Sequence, residues 1–174
     1  MTDVIAPIAA GVSLMSHHLK PPASAADWAA VDRMQRQSLR TRTGSAYPVE
    51  ARHADPARQV LLLWYRGERV GTLRMDRLDD STVAFRRVCV DASKRGAGHG
   101  AVLIQLAEAL ASADGADVVL LHAVAGSEGF YQKLGFHPVV WSEPSEHPTS
   151  VNLGKRLSPV AAVSQCLEYR RIHG

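Results

Sequence analysis

Hydrophobic positions along the chain follow two rhythms, and the switch between them marks the elements. Val60–Tyr65 is an unbroken apolar run of strand length. Arg66-Gly67-Glu68 reads as a turn, Arg69–Met75 as a second strand, Leu78-Asp79-Asp80-Ser81 as another turn and Thr82–Asp91 as a third strand. Turns this short imply an antiparallel meander. The rhythm then changes. Ala101–Ala113 carries Leu103, Leu106, Ala107 and Leu110 on one face of a helix. Asp117–Val124 follows as a strand, so 82–91, 101–113 and 117–124 form a β-α-β unit whose two strands run parallel. Ser127–Leu134 reads as a short helix with Gly135 as its C-terminal cap. Phe136–Trp141 and Thr149–Leu157 read as the last two strands.

Before the meander the signals are sparser. Gly11–Leu19 reads as a first strand. Ser24 is an N-cap with Asp27 in the first turn, and Trp28, Val31, Met34, Gln35 and Leu39 have helical spacing, which predicts a helix over Ala25–Arg40. Thr41–Ala57, with a glycine and two prolines, reads as a loop or a short second helix. Residues 1–10 are expected to be a loose tail and 158–174 a helical extension, running from Ala161 to Tyr169. The expected whole is one domain over residues 1–174. Its class is α/β in the α+β sense: a mixed, mostly antiparallel central sheet with one parallel strand pair and flanking helices.

Composition narrows the function. At 174 residues the chain suits one domain with a real core. The formal net charge of +3 is carried by scattered arginines. Arg86-Arg87 and Arg170-Arg171 are only pairs, so no nucleic-acid partner is expected. Cys89 and Cys166 give no disulfide framework, and Cys89 inside a strand is expected to be a buried, inert thiol. The eight histidines show no metal-ligand spacing, so no metal is expected. The adjacent His17 and His18 would point to opposite faces of a strand. Asp3 and the lack of a basic start argue against a signal peptide, and no apolar run is long enough for a bilayer. The expectation is a cytoplasmic protein with no membrane partner.

The candidate chemistry begins at Arg95-Gly96-Ala97-Gly98-His99-Gly100, between strand 82–91 and helix 101–113. The glycines strip the turn of side chains, and the first turn of a helix offers unpaired N–H groups with a partial positive charge, a natural phosphate site. Arg95 adds a fixed cation. A Walker A loop would need Gly-Lys-Ser/Thr, which is absent. The dinucleotide pattern G-x-G-x-x-G/A is met literally by Gly96–Ala101, but Asp91-Ala92-Ser93-Lys94-Arg95 intervenes at the strand's end and the next strand ends in His122-Ala123-Val124 rather than in an acid. Arg95, Gly98 and Gly100, read as Arg-x-x-Gly-x-Gly after Val88-Cys89-Val90-Asp91, resemble the coenzyme A loop of the GNAT superfamily of N-acetyltransferases. Phe130-Tyr131-Gln132-Lys133-Leu134-Gly135-Phe136 is similar to the Phe-Tyr-x-x-x-Gly-Phe segment that closes that core.

The resemblance spans residues 60 to 141 most clearly. It implies that the two parallel strands splay apart and that acetyl-CoA, the acyl donor, lies between them. Backbone groups of Val88 and Val90, flanking Cys89, would hold the pantetheine arm, with the Val88 N–H polarising the thioester carbonyl. Arg95, Gly96, Ala97, Gly98, His99 and Gly100 would hold the diphosphate, with Ser127 and Lys133 as further cofactor-binding candidates. Tyr131 would be the general acid that protonates the leaving thiolate. Members that use a glutamate base have it at the position of Phe85 here. His122, Glu128, His147 or a chain of waters is left for that role, with His122 taken as the catalytic candidate. Val124 stands where many members carry Asn, whereas Ala123 and Ser127 fit a different subgroup. The implied acceptor is a primary amine of a small molecule or peptide, and the family's frequent dimers through C-terminal strands allow a homodimer. Two other readings stand beside this one: a non-catalytic acyl-CoA-binding or sensing module of the same fold, and a nicotinamide-dependent oxidoreductase.

Overall fold

The computed structural model describes residues 12–14, 16–39, 55, 57–145 and 148–158. Its strands are β1 (Val12–Leu14), β2 (His17–Lys20), β3 (Arg58–Tyr65), β4 (Glu68–Arg77), β5 (Thr82–Val90), β6 (Val118–Ala123), β7 (His137–Pro138) and β8 (Val151–Arg156). Its helices are α1 (Ala25–Leu39), α2 (His99–Ala113) and α3 (Glu128–Lys133). The strands form one sheet in the order β1-β2-β3-β4-β5-β6-β8-β7, antiparallel at every pairing except β5–β6. The expected tails at 1–10 and 159–174, nearly all of the 41–57 segment, and Cys166 lie outside the described residues.

The apolar run of β3 is continuous because both faces of the sheet are covered. Leu61 and Leu63 join the larger core with Leu73, Phe85, Leu121 and Leu153, closed by Leu103, Ile104, Leu106, Ala107 and Leu110 of α2. Val60 and Leu62 turn to the other face and meet Ala30, Val31 and Met34 of α1, together with Cys89. The buried thiol is therefore part of the α1-side core. His17 is buried and His18 exposed, as strand alternation requires.

Helix α1 starts where its cap dictates. Ser24 Oγ accepts from the Asp27 N–H at 3.2 Å, and the Asp27 carboxylate accepts from the Ser24 N–H at 3.2 Å and the Ala23 N–H at 2.9 Å. This is a reciprocal capping box with aspartate in the glutamate position. Arg69 Nε donates to the same carboxylate at 2.7 Å, tying the helix to β4.

Three expectations are corrected. The first strand is a hairpin, because Ser16 adopts φ 67 and turns β1 back onto β2; no glycine or asparagine marks that turn. Phe136–Trp141 is strand only at His137–Pro138, because Trp141 turns toward His122 and Val140 stands fully in solvent. The helix of the β-α-β unit starts at His99 rather than at Ala101, because the left-handed Gly98 (φ 83) ends the loop two residues sooner. Among the described residues no helix is long and apolar enough to cross a membrane.

Replacing Ser24 with Ala removes one half of the capping box and is expected to lower stability by about 1 kcal/mol. Urea denaturation monitored by far-UV circular dichroism checks this, and an unchanged midpoint would contradict the capping assignment.

Candidate functional site

The site begins with an incomplete strand pairing. β5 and β6 are in register only at Thr82↔Val118, Val83↔Val119 and Ala84↔Leu120. Past Ala84 they part, while β5 keeps its pairing with β4 to Val90. A bulge interrupts that pairing. Arg86 faces Arg74 and Cys89 faces Thr72, so Arg87 and Val88 together oppose Leu73, and Arg87 takes the left-handed φ of 53. Past the bulge, the Asp91 N–H donates to Val70 O at 2.9 Å, toward β4. Alternation then turns the backbone groups of Val90 and Val88 the other way, to the side where β6 has left. The Val90 carbonyl lies on that side and accepts from Arg95 Nε at 3.3 Å.

The glycine loop hangs from the end of β5. Asp91 accepts from the Ser93 N–H at 3.0 Å and Ser93 Oγ at 2.7 Å, and pairs with Arg33 of α1 at 3.3 Å. The Ser93 bonds and the Arg33 charge hold its carboxyl below the usual range, against the opposing effect of burial. Gly96 (φ 80) and Gly98 (φ 83) use the left-handed backbone that other residues avoid. Gly98 caps α2 with no side chain, so the first-turn N–H groups stay open to an anion. Gly100 serves for space, since a Cβ there would lie 3.3 Å from the Phe130 ring and 3.7 Å from Val90. Arg95, Gly96, Ala97 and Gly98 are exposed. His99 is not: its ring is buried, with Nδ1 2.9 Å from His17 Nε2 and the Tyr65 ring 5.0 Å away. Only its backbone N–H belongs to the loop.

Helix α3 brings Tyr131 to this end of the sheet. Tyr131 is buried, edge-on to both Phe130 and Phe136. The helix ends in a Schellman motif, with the Gly135 N–H on Gln132 O and the Phe136 N–H on Tyr131 O. The expected cap at Gly135 (φ 88) is thus observed. Phe130 is 38% exposed and lies over Gly100 at the mouth of the slot. Ser127 Oγ donates to Val124 O at 2.7 Å, and Glu128 accepts from the Gly126 N–H at 2.7 Å, so both shape the turn before α3. Lys133 is exposed in the last turn. His147 lies outside the described residues.

On the α1 side of the slot, four strands present a polar cluster. Arg74 grips Asp76 through two bonds of 2.6 and 2.8 Å, and Arg86 Nε lies 2.7 Å from Oδ2 of the same carboxylate. Arg86 also pairs with Glu143. His122 stacks on Trp141 with centroids 4.3 Å apart, and the Arg86 guanidinium lies 5.5 Å from that ring. Asn152 joins His122 and Trp141 through bonds of 2.8 and 2.9 Å.

A family model described as an acetyltransferase (GNAT) domain matches residues 56–138. Over those residues the chain is similar to GNAT acetyltransferase domains, and the match spans just under half of its length. A Bacillus subtilis (strain 168) protein named as an acetyltransferase is 32% identical over 78 residues, which are 45% of this chain and 52% of that one. The chain thus spans about half the length of that curated relative. The fold is similar to that of a crystallised protein of Lactobacillus plantarum titled as an N-acetyltransferase (TM-score 0.67, 23% identity, 82% of this chain and 99% of that chain). It is also similar to Escherichia coli ElaA (TM-score 0.63, 22% identity, 76% and 92%) and to the ribosomal-protein-S18-alanine N-acetyltransferase of Escherichia coli (TM-score 0.63, 13% identity, 83% and 96%).

Phe85, which stands where the resemblance expects a glutamate base, is buried in the α2-side core. The neighbouring Arg86 takes the opposite, α1-side face. Sequence reading missed Arg74, Asp76, Trp141, Glu143 and Asn152. Its one available signal was charge at alternate positions, as at Arg74 and Asp76, which places both on one face of a strand. Among the described residues no group of His, Cys, Asp and Glu is placed to hold a metal ion.

The buried His99 carries a pH signature. Burial first, then the neighbouring His17 and Lys94, hold its imidazole below the usual 6.5. The folded state resists a proton that the unfolded chain accepts, so this contribution is complete above pH 6.5 and is lost as pH falls below it through the lowered folded value. The wild-type melting temperature is expected to drop on acidification from about pH 7 to 5, a window above the carboxylate range. His99→Phe should flatten the drop. A variant curve as steep as the wild type's in differential scanning calorimetry would contradict the assignment.

Proposed function

We propose that this protein is an acyl-CoA-dependent N-acyltransferase, with acetyl-CoA as donor substrate and a primary amine as acceptor. The observation that carries the reading is one strand, β5, supplying both an open edge at Val88–Val90 and the entry to the glycine loop. A diphosphate on the first-turn amides of α2 and Arg95 sets the nucleotide end, and the pantetheine arm then runs along Val90 and Val88 toward Tyr131. The neutral acceptor amine attacks the thioester carbonyl carbon and forms the C–N bond. The Val88 N–H stabilises the oxyanion that develops. His122 takes the proton that nitrogen sheds. As the oxyanion collapses the C–S bond breaks, and the Tyr131 hydroxyl gives its proton to the departing thiolate. The products are an amide and free CoA, and solvent carries the proton from His122 back to Tyr131.

Orientation of the donor by a fixed backbone edge is itself a large part of such catalysis. A general acid adds about 10²–10⁴-fold. The acceptor enters on the α1 side, where Trp141, Arg86 and Glu143 form the approach. A small molecule and a peptide amine both satisfy this geometry. The second reading, a binding module without turnover, draws on the burial of Phe85 where a base would stand.

Purified protein with acetyl-CoA and a panel of amines is expected to release free thiol, followed with a thiol-reactive chromogen. Saturable CoA binding without thiol release from any amine would favour the binding module, and protection from unfolding by NAD but not by CoA would favour the oxidoreductase. Tyr131→Phe is expected to lower kcat by about 10²-fold or more while leaving CoA affinity near that of the wild type. An equal loss of both would remove the acid role.

A further inference from the structure

We propose that Asn152 is a positioning residue that fixes the tautomer of His122, so that the ring presents an unprotonated Nε2 to the slot. The inference deepens the proposed acyl transfer and rests on it for its purpose, though its structural content is independent. Asn152 Nδ2 donates to the Trp141 carbonyl at 2.9 Å, and because a carbonyl only accepts, this bond sets which end of the amide is which. The amide oxygen is then the atom 2.8 Å from His122 Nδ1. An amide oxygen cannot donate, so Nδ1 must carry the hydrogen. A neutral imidazole has a single N–H, and the lone pair is left on Nε2.

The direction of that lone pair follows from the sheet. β6 lies between β5 and β8, and Asn152 is the cross-strand partner of His122 on β8. With Nδ1 held toward β8, Nε2 lies across the ring, on the side facing β5. His122 stands two residues beyond the last β5–β6 register pair at Leu120, where the strands have parted. Nε2 is buried and has no hydrogen-bond partner. An unpartnered buried acceptor is uncommon in folded proteins, and the missing donor matches the N–H of an incoming amine. Trp141 stacks on the ring at 8° and is held by the same asparagine, so one side chain fixes both the tautomer and the ring plane. The charges reached through Trp141 are Arg86 and the carboxylates of Asp76 and Glu143 that offset it.

In the transfer step the amine nitrogen keeps the electron pair of its broken N–H bond, and the proton binds the Nε2 lone pair. The resulting imidazolium keeps its Nδ1–H on the Asn152 oxygen and discharges the Nε2 proton to solvent after the amide leaves. Asn152 is not a reacting group.

The test reads the tautomer directly, by long-range proton–nitrogen correlation spectra of His122 in the wild-type protein near neutral pH. The expected result is a protonated Nδ1 and a bare Nε2; a proton on Nε2 overturns the proposal whatever the activity. With an amine that is turned over, Asn152→Ala should lower kcat by about 10²-fold, at the lower end of what general acid–base catalysis supplies, and should change the tautomer signals. Asn152→Asp keeps an acceptor at Nδ1 and should restore the tautomer. Its carboxylate favours the imidazolium, so the acidic limb of kcat/KM should move to higher pH. Equal damage by both substitutions with an unmoved pH profile would mean that Asn152 is only structural, and overturns the proposal. Absence of turnover with every amine would count against the acyl-transfer reading, while the wild-type spectrum still decides the tautomer.

Discussion

Everything in this molecule depends on one strand that is paired on only one side for half its length. β5 is zipped to β4 from Val83 to Val90 but to β6 only from Thr82 to Ala84. Unpaired backbone N–H and C=O groups are costly when buried and adhesive when accessible. Sheets normally cover such an edge; this one leaves it beside a helix N-terminus and a buried tyrosine. The bulge at Arg87 lets β5 stay bonded to β4 while its free edge turns toward the parted β6. The fold thereby makes an acceptor of extended chains, and the pantetheine arm proposed to lie there is a chain with amides of its own.

The two sides of the slot divide the work by chemistry. The glycine loop side is backbone: amides, small residues and one arginine, suited to a diphosphate. The α1 side is side chains: two arginines, two carboxylates, a histidine and a tryptophan. Asp76 lies between Arg74 and Arg86, and Glu143 pairs Arg86 again, so two positive charges meet two negative ones. A partly buried cluster so balanced gains little net stability over apolar packing, but losing one partner leaves an uncompensated charge. Its evident structural effect is to fix the segment around Trp141 and Glu143 beside the slot.

Legibility in the sequence followed the origin of each feature. The meander, the β-α-β unit and α1 were legible because period and turn chemistry are local. The glycine loop and Tyr131 were legible because a backbone demand and a short motif put fixed residue types close together. The hairpin at Ser16 and the bulge at Arg87 were not, because neither uses the glycine that usually marks a left-handed residue. The cluster of Arg74, Asp76, Arg86, Trp141, Glu143 and Asn152 was hidden for another reason. Its members come from three strands and a loop, and only the register of β4, β5, β6 and β8 brings them together. The direction of the His99 side chain was not legible either: in a helix capped by Gly98 it turns down toward His17, leaving its backbone N–H in the loop.

The most direct test of the central claim is a backbone amide spectrum of the protein titrated with coenzyme A. The open-edge account predicts that the largest shifts fall on Val88, Val90 and the amides from Gly96 to Ala101, with the amides of β3 little changed. Saturable binding whose shifts lie elsewhere, leaving Val88 and Gly98 untouched, would contradict it.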